Sequence, residues 1–309
     1  MPLLRVEAEK LSNNILEQGV IEEIIDNDAM FALMPFKRIV GKAYVYNREK
    51  TLSEADFLDP YDDVNEGGAD FDEIVAKLRI LAGDVDIDNF LDETMSDTND
   101  QTAIQIAAKA KGMQRKFQRT LAIGNSTTNT KEFDGLHQLV DPSQVKSAAA
   151  NGAAVTFEMI DGLLRMVPLG ADALIMRGGT HDALLSLLRT LGGTTPEHVT
   201  IPGTGREQNG GRALTIPAYR GVPIIVNDFL PGDEVQGTSG ATTCSIYAAR
   251  FNESDGLHGL FGGPSAGIRV QHIGTLQTKD AERYRLKWYC GTALKSTKSL
   301  ARLSGITNV

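Results

Sequence analysis

The sequence predicts an α+β fold, and three observations carry that prediction. Between residues 98 and 123 the apolar side chains recur at helical spacing. Upstream of that stretch, and again after residue 268, they alternate with a period of two, as half-buried strands do. From residue 141 to 264, short strand and helix patterns are interleaved with polar, glycine-rich loops, a mixture that belongs to α+β chains. With 309 residues there is enough chain for one large domain or two modest ones.

Composition excludes several classes. No apolar run reaches the length of a membrane span. The first residues carry Arg5, Glu7, Glu9 and Lys10 among their apolar neighbours, so they do not form a secretory signal. Cys244 and Cys290 lie far apart, nothing requires a disulfide, and a reducing cytoplasm fits. The net charge of −9 argues against a general nucleic-acid binder.

The elements follow in order. Residues 1–30 form an amphipathic stretch, with Leu11, Ile15, Ile21 and Ile25 among Glu and Asn and an interruption at Gly19. There is too little chain here to fold alone, so it must pack on something else. Ile39 to Asn47 alternates and is rich in Val and Tyr, which predicts a strand. The acidic stretch that follows holds Pro60 and Gly67-Gly68 and cannot build a core. Ile74 to Ala82 alternates again and predicts a returning strand. Asp84-Val85-Asp86-Ile87-Asp88 opens like a calcium loop, but Asn89 stands where the turn wants Gly and Met95 where a bidentate Glu is needed. A strand with one polar face explains it better.

Next comes the long helix, from about Thr98 to Ile123. Asp97 or Thr98 can cap it, and Asp100 suits the positive end of its dipole. Ile106, Ala110, Met113, Phe117 and Leu121 make one apolar stripe. Gly124-Asn125-Ser126 ends it, after roughly 40 Å at about 1.5 Å per residue. Lys109, Lys111, Arg115, Lys116 and Arg119 cover much of the remaining surface. Further on, Phe157, Ile160, Leu164 and Val167 mark a second helix. Thr180 can cap a third, with Leu184, Leu187, Leu188 and Leu191 buried and Gly192-Gly193 at its end. Ile224–Val226, Cys244–Ala248, Ile268–Ile273 and Arg283–Leu294 read as strands, with a last short segment at Leu300–Ile306. The strands after residue 265 are expected to return to the sheet beside the long helix.

The long helix, its Gly-Asn exit, the polar loop to Lys131 and the phrase Phe133-Asp134-Gly135-Leu136 together resemble the major capsid protein of tailed bacteriophages. Ala171-Asp172-Ala173-Leu174-Ile175-Met176 is similar to that family's central strand, and Arg220-Gly221-Val222-Pro223-Ile224-Ile225-Val226 to its Gly-x-Pro-hydrophobic strand. The resemblance runs from about Met34 to Arg302. It implies an N-terminal arm over residues 1–35 and an extended loop over 36–73 that reaches over a neighbouring subunit. It also implies a peripheral domain from 74–140 and 265–309, built on a long spine helix, and an axial domain over 141–264. The implied function is self-assembly into pentamers and hexamers that close an icosahedral shell around double-stranded DNA, in a virion assembled in the host cytoplasm. Implied partners are further copies, a portal protein, a separate scaffolding protein and a decoration protein, with no cofactor and no membrane. Two other readings stay open. One is an encapsulin, a nanocompartment shell that shares this fold, and the other is a soluble α+β metabolic enzyme.

Charge is segregated along the chain. Residues 49–100 hold 17 Asp or Glu against three Lys or Arg, whereas 103–131 and 283–309 each hold six Lys or Arg and no acid. This predicts that the acidic segment, with Asp59, Asp62, Asp63 and Glu66, lies against a basic surface of another copy. The candidate surfaces are the helix face of Lys111, Arg115 and Arg119 and the Arg283–Arg302 region. Such contacts set register more than strength. The competing idea is that the helix face meets packaged DNA.

Motifs for chemistry are weak. Gly263-Pro264-Ser265-Ala266-Gly267 fits the G-x-S-x-G elbow, but His272 precedes Asp280 and a strand, not a helix, follows. Gly203 to Arg212 is glycine-rich yet lacks the G-K-[ST] ending of a phosphate loop. The five histidines show no i, i+4 pairing and neither Cys has a second Cys at ligand spacing, so no catalytic or metal residue is assigned.

Overall fold

The computed structural model describes Met30 and residues 33–51, 55, 57–58, 63, 66–95, 101–192, 197–201, 214–238, 240–263 and 267–309. In chain order the elements are β1 Phe36–Ile39, β2 Ala43–Thr51, β3 Asp70–Lys77, β4 Arg79–Asp88, α1 Asn89–Met95, α2 Gln101–Ile123, α3 Leu136–Leu139, β5 Val145–Ser147, α4 Phe157–Arg165, β6 Ala173–Met176 and α5 Gly178–Thr190. They continue with β7 Glu197–Ile201, β8 Leu214–Tyr219, β9 Val222–Val226, β10 Glu234–Val235, β11 Thr242–Ala249, β12 Leu257–Gly262, β13 Arg269–Thr275, β14 Ala281–Leu294 and β15 Leu300–Ile306. The expected α+β class is what these elements form.

Two large sheets share one core. The first is built on β14, with β4 along one edge, β12 and β13 sharing the other, and β1 added parallel to β12. The second has the order β5-β15-β11-β6-β9-β8-β7, with β10 on β11. Between them lies α2. Its stripe residues Met113, Phe117 and Leu121 pack with Val85, Ile87, Leu286 and Trp288 of the first sheet and with Ile175, Tyr247 and Leu300 of the second. The other face of the second sheet is covered by α4 and α5, through Ile160, Leu163 and Leu184. Strand β6 therefore sits between two cores. Ala173 and Ile175 face one and Leu174 and Met176 the other, which is why it is apolar at every position.

The turn out of α2 depends on two close backbone approaches. The Gly135 N–H donates to Gly124 O at 2.9 Å. A Cβ at Gly124 would stand 2.4 Å from the carbonyl oxygens of both Phe133 and Thr120, and one at Gly135 would stand 2.5 Å from Thr120 O. Only glycine fits at either position.

Several expectations change. The strand expected over Ile39–Asn47 is two strands with different partners, split where Gly41 takes φ +108°. The strand expected over Ile74–Ala82 is likewise split at Leu78, whose N–H donates to Lys42 O while β3 pairs with β2 and β4 with β14. Alternation continues across both breaks because side-chain parity does not record a change of partner. Thr180 does not cap α5. Arg177 is the N-cap residue, the Gly178 N–H donates to Asp228, and Thr180 is buried in the first turn, donating to Asn308 O at 2.7 Å. Leu191 is exposed, one residue past the end of α5. Strand β12 is rich in glycine because its glycines make room for neighbours: a Cβ on Gly259 would meet the Phe36 ring at 2.4 Å. Of the strands after residue 265, β13 and β14 join the sheet beside the long helix. β15 instead pairs with β11 and β5 in the second sheet. The capping residues Asp97 and Thr98, residues 1–29 and Gly193 lie outside the described residues.

Candidate assembly surfaces

Strands β2 and β3 form a two-stranded hairpin apart from both sheets. Its register pairs Tyr44 with Ala76 and Tyr46 with Ile74, and on the opposite face Val45 with Val75 and Glu49 with Phe71. The tyrosine side packs on the first sheet, with Tyr44, Tyr46 and Ala76 against Ile39, Leu260 and Ala293. Three hydrogen bonds staple the base. Tyr46 Oη donates to Leu294 O at 2.7 Å, and the Arg48 guanidinium donates to Lys295 O at 2.8 Å and Leu294 O at 2.5 Å. The other side has no cover among the described residues. Val45, Phe71 and Val75 are exposed, as are Phe57 and Leu58 further along. Such a concentration of exposed large apolar side chains on one element marks an interaction surface.

Among the expected interface residues, Asp63 and Glu66 are exposed on this hairpin's connection, while Asp59 and Asp62 lie outside the described residues. On α2, Arg115 and Arg119 are exposed and Lys111 is half-buried. Lys116 is held by Glu132 of the same chain at 2.8 Å.

The basic C-terminal strands have acids of their own. Cross-strand register sets Arg283 against Asp86 and Arg285 against Asp84. Each guanidinium makes two bonds to its carboxylate, at 2.6 and 2.7 Å for Arg283 and 2.7 and 2.8 Å for Arg285. Hydrogen bonds from Arg285 and Arg283 hold the Asp84 and Asp86 carboxyls below the usual range. The run that opens like a calcium loop is thus a strand whose acidic face pairs with arginines. Arg302 binds Glu234 at 2.9 Å. Burial alone would raise Glu234, but hydrogen bonds from Ser245 and Arg302, with the His137 ring 3.6 Å away, outweigh it and the carboxyl is lowered. Sequence reading missed these three pairs. The signal was present in the acids of 84–88 and the bases of 283–285, but only the antiparallel register joins them.

Among the described residues there is no group of three or more His, Cys, Asp or Glu placed to hold a metal ion. Ser265 and the Gly203–Arg212 loop lie outside them. The segment containing Ser265 joins two strands, β12 and β13, whereas a nucleophile elbow leads into a helix. His258 is fully buried, and that burial lowers its pKa.

No protein-family profile matches the chain, and no curated protein matches it. Solved structures do. An encapsulin, the holo-SrpI complex from Synechococcus elongatus PCC 7942, is 21% identical with a TM-score of 0.72, over 100% of this chain and 98% of that one. The capsid of a native GTA particle is 12% identical with a TM-score of 0.65, over 94% and 93% of the two chains. The capsid subunit of cyanophage A-1(L) is 10% identical with a TM-score of 0.65, over 96% and 98%. These matches run nearly end to end in both partners, so the chain has, over its whole length, the fold shared by phage capsid proteins and encapsulin shells.

Proposed function

We propose that this chain is the subunit of a closed icosahedral shell, without catalytic activity, and that the shell is the capsid of a tailed bacteriophage enclosing double-stranded DNA. The observation that carries the reading is the end-to-end match to shell subunits by a chain whose described residues leave an apolar, acidic hairpin face uncovered. A lone globular enzyme has no use for such a face. In this reading the copies associate into pentamers and hexamers, a portal protein, a scaffolding protein and a decoration protein complete the particle, and assembly takes place in the host cytoplasm. The Arg115 and Arg119 face of α2 is offered to the enclosed polyanion, where sequence-independent phosphate contacts are salt-sensitive.

A second reading has its own support. The encapsulin match has both the higher identity, 21% against 10–12%, and the higher TM-score, 0.72 against 0.65. Purification of assembled material separates the readings. Negative-stain images should show closed shells, and a small soluble oligomer in their place overturns both. Nuclease-protected DNA inside the shells supports the capsid, and a co-purifying enzyme in stoichiometric amount supports the nanocompartment.

A further inference from the structure

We infer that the cleft between the hairpin base, the exit of α2 and strand β14 binds a small organic acid, a carboxylate on a short apolar body, with Arg79 as its anchor. Nothing in the shell reading requires such a site, and the inference stands or falls apart from it.

At Leu78 the chain passes from β3 in the hairpin to β4 in the first sheet. A partly enclosed cavity of about 190 Å³ lies beside that passage. Ile74, Phe133 and Leu139 give it an apolar wall, and its charged lining residues are Lys77, Arg79 and Asp134. Arg79 is the one that the chain itself leaves without a partner. On β4 it shares parity with Leu81, which packs on the core beside α2, so its side chain is turned inward. Its Nε is buried, and among the described residues the side chain makes no hydrogen bond and no ion pair. The acid in the lining does not serve it, because the Asp134 carboxylate accepts from the Ser126 N–H at 2.8 Å. Lys77 is exposed at the same cleft, so the lining carries two cations against one acid.

A buried guanidinium nitrogen without an acceptor is costly and calls for an explanation. The planar guanidinium fork matches a carboxylate, which supplies both the acceptor and the missing charge. Inorganic phosphate would pair with Arg79 as well, but it leaves the apolar wall unused. Size sets the body that the acid carries. A cavity of about 150 Å³ holds a benzene ring, so this cleft has room for one ring or a short chain behind the carboxylate. Such a ligand would touch the hairpin, the helix exit and β14 at once, and would hold the hairpin to the body of the subunit.

Benzoate is the probe, titrated into the full chain at constant ionic strength. It should raise the melting temperature in step with occupancy, and calorimetry should give a dissociation constant. Benzyl alcohol, the same body without the acid, and inorganic phosphate, an anion without the body, should each bind at least tenfold more weakly. Arg79→Met should weaken benzoate binding at least tenfold. Asp134→Asn keeps an acceptor for the Ser126 N–H and removes the like charge, so it should tighten binding. A melting temperature unmoved by benzoate overturns the inference. So does benzyl alcohol or phosphate binding as well as benzoate, an unchanged constant in Arg79→Met, or weaker binding in Asp134→Asn. The comparison of the three probes uses the wild-type chain, so it decides the matter even where a variant fails to fold. Whether shells form is read separately by microscopy and bears on neither result.

Discussion

Phe117 is 1% exposed, and its ring lies 4.5 Å from Trp288, 5.2 Å from Phe133 and 6.3 Å from Phe36, centre to centre. It joins the long helix, the helix exit and the first sheet in one contact. Phe117→Ala should therefore cost about 3–5 kcal/mol, read by urea or thermal unfolding. An unchanged melting temperature would contradict that packing. The ion pairs of the first sheet make a pH prediction. Asp84 and Asp86 titrate below the usual range when folded, and near pH 4 when unfolded. Their contribution is complete above the unfolded value and is lost as pH falls through the lower folded values. These side chains are partly exposed, so solvent screening keeps the contribution of each pair small. Replacing Arg283 and Arg285 by Met should lower stability slightly at pH 7, and the deficit should shrink in acid. A deficit equal at pH 7 and pH 2 would show that the arginines act by packing alone.

Among the elements, α2 was legible because 3.6-residue periodicity over 23 residues is a strong local signal. The hairpin was legible only in outline. Its alternation was visible, but the break at Gly41 and the change of sheet at Leu78 are set by partners more than 200 residues away in β12 and β14. Two predictions belong at this scale. Deleting residues 1–25 should leave a folded subunit that assembles poorly, because so short a stretch has no core of its own and draws its stability from neighbours. Failure of the truncated chain to fold, seen as loss of a cooperative melt, would count against it. Reversing Arg115 and Arg119 to Glu should leave empty-shell formation intact and impair only retention of DNA. Loss of empty shells in that variant would move the helix face into the contact between copies.

For the whole molecule, part of the uneven charge cancels within the chain. The acids of 84–86 and the arginines at 283 and 285 neutralise each other within the chain. On the proposed shell reading, the exposed hairpin acids would face other copies and the exposed Arg115 and Arg119 of α2 would face the contents. Assembly should then weaken with salt, since the screening length is about 8 Å at physiological strength. Raising sodium chloride from 0.1 to 1 M should reduce the assembled fraction of wild type more than that of a subunit whose hairpin acids are replaced by amides. Equal salt sensitivity in both would place the electrostatic contact elsewhere.

The sequence by itself determined what is local. It specified the α+β class, the long helix and its apolar stripe, the glycines that let the chain turn tightly out of it, and the separation of acidic from basic stretches. Each depends on residues within a turn or two of one another, so periodicity and spacing record it. Tertiary structure alone decided which strands share a sheet, that β15 leaves the first sheet for the second, and that Thr180 is buried rather than capping. It also decided which charges are already paired. Asp84 and Arg285 are 201 positions apart in the chain yet bonded at 2.7 Å. A pairing of that kind is set by the register of β4 on β14, which follows from burying Leu81, Val85 and Ile87 against the helix, and no local pattern encodes it.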